Sequence, residues 1–230
     1  MEDFGLPIHL ANKIDHRNQV NSYRYVKRDK YIIEPDFSSA CYFWSVGCIL
    51  NKKVGIITTL NYSCQPDYHF LHILKKMGAI VSIESGAIYV TADYLKPIEV
   101  NMVNMPDQVP TLVVLSLFAN SNNQTIISNV EHIRYKESNR LENLIIELKK
   151  INAEIDYHKS SLYVKSLLNK EVPSVTLNGY DDHRLIMAFS LLRAVYPHVK
   201  IMGKEAVNKS CPNYFNLMEV NKLLPKNDHC

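Results

Sequence analysis

Lys75-Lys76-Met77-Gly78-Ala79 returns later in the chain as Lys149-Lys150-Ile151-Asn152-Ala153, and Ile56-Ile57 returns as Ile126-Ile127. A third copy opens at Tyr180-Asp181-Asp182-His183-Arg184, and Ile201 takes the place of Ile126. The order helix, strand, helix, strand, strand therefore recurs about every 70–75 residues, with the last copy cut short. That period is too long for a thin solenoid and suits one compact supersecondary unit per copy. A unit of this kind buries its helix face only against its neighbours. Three of them build one α+β lobe, with helices inside and sheets outside.

Local signals place the elements. Asp36, Ser38 and Ser39 are helix-start residues before Ala40–Leu50, a run that contains the only tryptophan, Trp44. Val54–Leu60 is β-branched and strand-like, Gln65-Pro66-Asp67 opens a helix through Met77, and Gly78 ends it. Ile80–Glu84 and Ala87–Thr91 flank the hairpin turn Ser85-Gly86. The second copy reads as helix Thr111–Ala119, strand Gln124–Ser128, helix Glu137–Ile151 and strands Glu154–Tyr157 and Ser161–Lys165. The third reads as helix Leu185–Val195, strand Val199–Met202 and a helix from Asn213 to Leu223. Ser22–Val26 and Tyr31–Glu34 are strand-like and precede the first copy.

Charge gathers where helices begin. Lys136, Glu137 and Arg140 fall within one short segment, with Ser138 read as the N-cap of the helix that follows. A helix N-terminus is electropositive and carries free N–H groups, so with two cations it suits phosphate or carboxylate. Asp36–Ser39, Met105-Pro106-Asp107, Asp182-His183-Arg184 and Lys209-Ser210-Cys211-Pro212-Asn213 stand at the other helix starts. Repeats set like elements side by side. Lys136, Arg140, Arg184 and Lys209 would then focus positive potential on one surface, with Asp107 and Glu137 inside it. That pattern fits acid and base work on a small polyanion. Each motif alone is also an ordinary helix start: Asp182 an N-cap, His183 a satisfied first-turn residue, Asp107 a turn residue, Lys209 a solvated lysine.

Composition narrows the alternatives. With 47% hydrophobic and 21% charged residues the chain can bury a sizeable core. The net charge of +3 is spread without a basic run, which disfavours nucleic acid. No apolar run approaches the roughly 18–20 residues needed to cross a bilayer, and the first residues do not read as a signal peptide. Cys41, Cys48, Cys64, Cys211 and Cys230 form no C-x-x-C pair and read as reduced thiols of a cytoplasmic protein. His69 and His72 have no evident third ligand, so no metal is expected.

Met105–Thr111, Arg134–Arg140, Asp181–Arg184 and Lys209–Phe215 together resemble the 5-enolpyruvylshikimate-3-phosphate (EPSP) synthase family, in its order and spacing; Glu34–Ala40 and Ser63–Asp67 match two further family segments. The sister family that acts on a UDP-amino sugar shares the fold but not these motifs. The resemblance implies an enolpyruvyltransferase-type lobe of three βαβαββ units, an inside-out α/β barrel. Residues 1–35 would be the tail of a second, N-terminal lobe and 36–230 the C-terminal catalytic lobe. It implies transfer of enolpyruvyl from phosphoenolpyruvate to the 5-hydroxyl of shikimate 3-phosphate, with no cofactor and no metal. It also implies roles. Asp107 would hold and deprotonate the 5-hydroxyl, Glu137 would protonate the methylene carbon, and Lys209 would join in proton transfer and phosphate departure. Arg140, Arg184 and Lys209 would clamp phosphoenolpyruvate, while His132 and Lys136 would face the shikimate phosphate.

The chain departs from the family in places. Pro35, Pro66 and Asn152 stand where glycine is usual, and Asn139 where aspartate is usual. The resemblance spans only the second half of the family's sequence, so the isolated chain is expected to be inactive without the N-terminal lobe. A non-catalytic anion-binding remnant and a UDP-N-acetylglucosamine enolpyruvyltransferase are the alternatives.

Overall fold

The computed structural model describes residues 29–30, 33–58 and 63–226. The chain divides into two compact units, Met1–Glu34 and Pro35–Cys230, and every element below belongs to the second. The strand expected at Ser22–Val26 lies outside the described residues; of Tyr31–Glu34, the described Ile33 and Glu34 are not in a strand.

The element order is α1 (Phe37–Leu50), β1 (Val54–Ile57), α2 (Phe70–Lys76), β2 (Ile80–Glu84) and β3 (Ala87–Thr91). There follow β4 (Glu99–Asn101), α3 (Val109–Ser116), β5 (Thr125–Ser128), α4 (Arg140–Lys149), β6 (Ile155–His158) and β7 (Ser161–Val164). The chain ends with β8 (Thr176–Asn178), α5 (His183–Ser190), β9 (Lys200–Met202) and α6 (Tyr214–Val220). Among the described residues the strands form three sheets, ordered β1-β3-β2, β4-β5-β7-β6 and β8-β9. β4 runs parallel to β5 and β8 to β9, while the pairings of β3 and β7 are antiparallel.

Helices α1 and α3 are apolar around nearly their whole circumference, and α5 is buried along nearly its whole length. Every residue of α3 is buried, as is every residue of α5 except Arg184. Such helices are stable only when enclosed. α3 packs against both α1 and α5, and α1 packs against the 3-10 turn Leu191–Ala194 that continues α5. The core runs through all three. Trp44 in α1 is fully buried and donates its indole N–H to the Ile88 carbonyl in β3 at 3.2 Å, which satisfies the one polar atom it brings inside. By contrast, α4 keeps exposed residues on one side, as an outer helix must.

The helix ends obey the chemistry of their caps, with one correction. Asp36 caps α1 through the Ser38 N–H at 3.0 Å. At α4 the cap is Asn139, which accepts from the Glu142 N–H at 3.3 Å, and not Ser138. The Ser138 hydroxyl is drawn off to Asp182 at 3.0 Å. Helix α4 consequently starts at Arg140, and Glu137 lies just before it. β4 and β8 were not foreseen, because three residues are too few to display an alternation.

The repeated segments share backbone geometry. Gly78 (φ 101°) and Asn152 (φ 62°) both take the left-handed conformation after a helix, and asparagine is the side chain that best tolerates glycine's place there. The two hairpins turn on Ser85-Gly86 (φ 49°, 75°) and Lys159-Ser160 (φ 49°, 56°). Two central residues at positive φ form the turn that matches strand twist, and it favours Asn-Gly. Lys159 and Ser160 are therefore strained. The double substitution Lys159→Asn, Ser160→Gly should stabilise the chain by about 1 kcal/mol. A thermal unfolding midpoint raised by about 2–4 °C would register it; an unchanged midpoint would mean the turn stores no strain.

Candidate active site

Three stretches of chain meet around one guanidinium. Arg140 stands in the first turn of α4 with its side chain 1% exposed. Its Nη1 donates to Asp107 Oδ1 at 2.8 Å, its Nη2 to Glu137 Oε2, and its Nε to Asp182 Oδ2 at 2.7 Å. Asp107 sits in the 3-10 turn Pro106–Gln108 that leads into α3, and Asp182 caps α5. A buried cation is tolerable only when its donors are matched, and all three faces of this fork are.

More positive charge surrounds the two outer carboxylates. Lys136 Nζ lies 3.3 Å from Asp107 Oδ1, Arg184 Nη2 lies 3.7 Å from Asp107 Oδ2, and Lys209 Nζ lies 3.3 Å from Glu137 Oε1. The Asp107 and Glu137 side chains remain 33% and 35% exposed, so both are open to solvent and to a ligand, whereas Asp182 is fully buried. The structure thus brings Asp107, Lys136, Glu137, Arg140, Arg184 and Lys209 into one cluster. His132 does not join its ion pairs. It lies in the 3-10 turn Glu131–Tyr135, and its Nε2 is buried without a hydrogen-bond partner among the described residues.

Arg184 is only partly used. Its Nε and Nη1 are buried and make no hydrogen bond among the described residues. Tyr42 of α1 is buried close enough for the cation to act on it. Burial pushes the phenol up to about 12, against the pull of Arg184. His183 is not the satisfied first-turn residue that the sequence suggested, because its Nδ1 is buried and has no hydrogen-bond partner among the described residues. Burial and the neighbouring Arg184 hold its pKa below the usual histidine value.

Burial alone would push the carboxyl of Asp107 up, but Arg184, Arg140 and Lys136 more than cancel it and hold the group below the usual aspartate range. Glu137 behaves alike. Burial raises it, and its own backbone N–H, Arg140 and Lys209 bring it below the ordinary glutamate value. Both are therefore ionised at neutral pH. Their contribution to stability is complete above the unfolded-state values of about 3.9 and 4.3, and it is lost as pH falls through the lower folded values. Thermal midpoints should accordingly fall more steeply below about pH 4 for the unaltered chain than for Asp107→Asn. Parallel curves would contradict the assigned coupling.

A second polar knot adjoins the first and was not foreseen. Asp67, nearly buried in the 3-10 turn Pro66–His69, accepts from the Ser38 hydroxyl and from Gln108 Nε2 at 2.9 Å. Gln108 also donates to the Ser38 carbonyl at 3.2 Å and accepts from the Thr111 hydroxyl at 3.0 Å. The Asp36–Ser39 motif belongs to this knot rather than to the Arg140 cluster. Asp67 stands after a proline, where a sequence reading sees only a helix start; its burial is the signal, and burial is not local. Among the described residues no group of three or more His, Cys, Asp or Glu side chains could hold a metal ion, and no helix is long and apolar enough to cross a membrane.

The chain is 36% identical over 222 residues to the 3-phosphoshikimate 1-carboxyvinyltransferase of Methanocaldococcus jannaschii, covering 95% of this chain and 50% of that one. It is 34% identical over 230 residues to the enzyme of that name from Haemophilus influenzae, covering 99% of this chain and 51% of the relative. The chain thus spans about half the length of the curated relatives it matches. Among solved structures, EPSP synthase from Acinetobacter baumannii superposes with a TM-score of 0.68 at 21% identity over 82% of this chain and 46% of that one. The enolpyruvyl transferase NikO from Streptomyces tendae gives 0.64 at 17% identity over 85% and 44%. These two likenesses establish a shared mixed helix-and-sheet fold. The family model of EPSP synthase (3-phosphoshikimate 1-carboxyvinyltransferase) matches residues 1–218, and the chain belongs to that family.

Proposed function

We propose that residues 36–230 form the C-terminal catalytic lobe of an EPSP synthase, built from three units of the βαβαββ kind with their helices inside. Residues 1–35 are assigned to the tail of the other lobe. With that lobe, the chain transfers enolpyruvyl from phosphoenolpyruvate to the 5-hydroxyl of shikimate 3-phosphate and releases phosphate. The observation that supports this best is that Asp107 and Glu137, far apart in sequence, bind the same Arg140 guanidinium amid three further cations.

The chemistry follows from the electrostatics. Asp107 is held ionised, so it can accept a hydrogen bond from the 5-hydroxyl and orient it; bound anions that offset Arg184, Arg140 and Lys136 raise its basicity, and it takes the proton as the new C–O bond forms. The attacked carbon of phosphoenolpyruvate gains positive charge while its methylene is protonated, and the nearby carboxylates stabilise that charge. Glu137 supplies the proton; as a carboxylate it then takes one back from the resulting methyl group while the C–O bond to phosphate breaks, which restores the double bond, and the phosphate leaves with the proton that Asp107 took from the 5-hydroxyl. The pKa of Glu137 is low in the empty cluster, and a bound phosphate or carboxylate neutralises part of the field of Arg140 and Lys209 and raises it. Arg184, which reaches the cluster through Nη2, adds its charge to the clamp on the phosphoenolpyruvate anion, and Lys209, the most exposed cation of the cluster, stands beside the leaving phosphate. Lys136 and His132 are assigned to the shikimate phosphate by resemblance; of the two, only Lys136 presents its charge at the cluster.

Phosphate release from the two substrates together tests the reading. The 230-residue chain alone should release none, because the anions would be held from one side only. Adding the N-terminal lobe of a relative as a separate polypeptide should restore turnover. Restoration by that lobe with an unaltered chain, abolished by Glu137→Gln, is the expected pattern. A folded, reconstituted pair that binds phosphoenolpyruvate yet never turns over would instead favour a non-catalytic remnant.

A further inference from the structure

The most deeply enclosed member of the cluster has no part in the chemistry above. Asp182 is fully buried, yet its carboxylate accepts three hydrogen bonds from two different helix starts. Oδ2 takes Arg140 Nε at 2.7 Å and the Ser138 hydroxyl at 3.0 Å; Oδ1 takes the Arg184 backbone N–H at 2.9 Å. We propose that Asp182 is the positioning residue of the site. It grips the near end of Arg140 so that the two terminal nitrogens point outward to Asp107 and Glu137, and it locks the segment bearing Glu137 to the helix bearing Arg184.

The geometry makes this more than a helix cap. A cap needs one acceptor oxygen, and Oδ1 supplies it. Oδ2 is free to act elsewhere, and it takes both a guanidinium N–H and a hydroxyl. A guanidinium has a rigid planar fork, so fixing Nε fixes the directions of Nη1 and Nη2 together. Without Asp182, the other described carboxylates bonded to Arg140 are the two that face solvent, and the cation could swing toward either. Ser138 adds a second tie: its hydroxyl is held by the same oxygen, next to Glu137 in sequence, so the carboxyl of Glu137 and the guanidinium share one anchor. Asp182 meets no substrate in this arrangement and acts through Arg140 and Ser138.

The catalytic meaning of this anchor rests on the proposed function, but the anchoring can be tested without turnover. Asp182→Asn keeps the volume and a capping oxygen, and replaces the acceptor by an N–H₂ that faces another donor. Hydrogen exchange at the Arg140 Nε–H, read by ¹H–¹⁵N NMR on the 230-residue chain, is the probe. It should be protected in the unaltered chain, lose about 10–100-fold of that protection in Asp182→Asn, and keep most of it in Ser138→Ala, which leaves the charge in place. Backbone amide exchange in α3 serves as the check on folding. An Arg140 Nε–H that exchanges in the unaltered chain as fast as that of free arginine in solution overturns the proposal, even if Asp182→Asn fails to fold. Equal loss in Ser138→Ala also overturns it, since general loosening would then account for both. In the reconstituted pair, Asp182→Asn should lower kcat more than it alters KM; a normal kcat despite lost protection would remove the catalytic meaning. A pair that never turns over fails the enzyme reading alone, and leaves the exchange result standing.

Discussion

Arg140→Met should destabilise the chain by about 3–5 kcal/mol, the range for removing one partner from a buried ionic network. The effect is unevenly shared among the three carboxylates that lose their bond. Asp107 retains Lys136 and Arg184, and Glu137 retains Lys209; both are about one-third exposed, so water takes up the vacated lone pairs. Asp182 has no such recourse. It is fully buried and would keep only the Ser138 hydroxyl and one backbone N–H against a full charge. Arg140→Lys should cost about half as much, because a single ammonium restores the charge but cannot span three acceptors lying in different directions. The urea midpoint of the 230-residue chain is the measurement. A loss below about 1 kcal/mol for the methionine variant would place Arg140 among ordinary surface ion pairs and contradict the enclosed network.

The second large effect concerns chemistry rather than stability. In the reconstituted pair, Glu137→Gln should lower kcat by about 10²–10⁴-fold, the usual contribution of a positioned proton donor. Glutamine keeps an acceptor oxygen for Arg140, so the fold should change little. It removes a proton that can be given up. It also frees Lys209 from its partner, so the affinity for phosphoenolpyruvate should rise slightly while turnover collapses. This separation of kcat from KM distinguishes a proton carrier from a residue that merely holds the site together. If kcat in Glu137→Gln stayed within about fivefold of the unaltered enzyme, a proton-donor role would be untenable and Lys209 would be the next group to examine.

How much of this was legible before the structure differs from one element to the next. The hairpin over Ser85-Gly86, the stop at Gly78 and the buried helix around Trp44 follow from local rules: residue types that tolerate positive φ, and an apolar run with a capping aspartate before it. The cap of α4 lies one residue later than the sequence suggests, and the helix starts three residues after Glu137. Ser138 and Asn139 are both good caps, and only the presence of Asp182 across the helix boundary takes the serine away. Asp67 and Gln108 escaped notice because each looks like a helix-start or turn residue until the fold buries it. His132 was grouped with the cations by resemblance, yet it stands outside their ion pairs.

Sequence by itself determined the recurrence of elements, the family, and the set of residues from which a site could be made. Those properties rest on backbone preferences and residue types, which act over a few neighbours along the chain. Only the tertiary structure decided that Arg140 would be shared by three carboxylates, and that two of them would face outward and the third be sealed in. Such outcomes depend on Coulomb interaction and desolvation between groups tens of residues apart. Both change steeply over a few ångströms, and no spacing of letters encodes those distances.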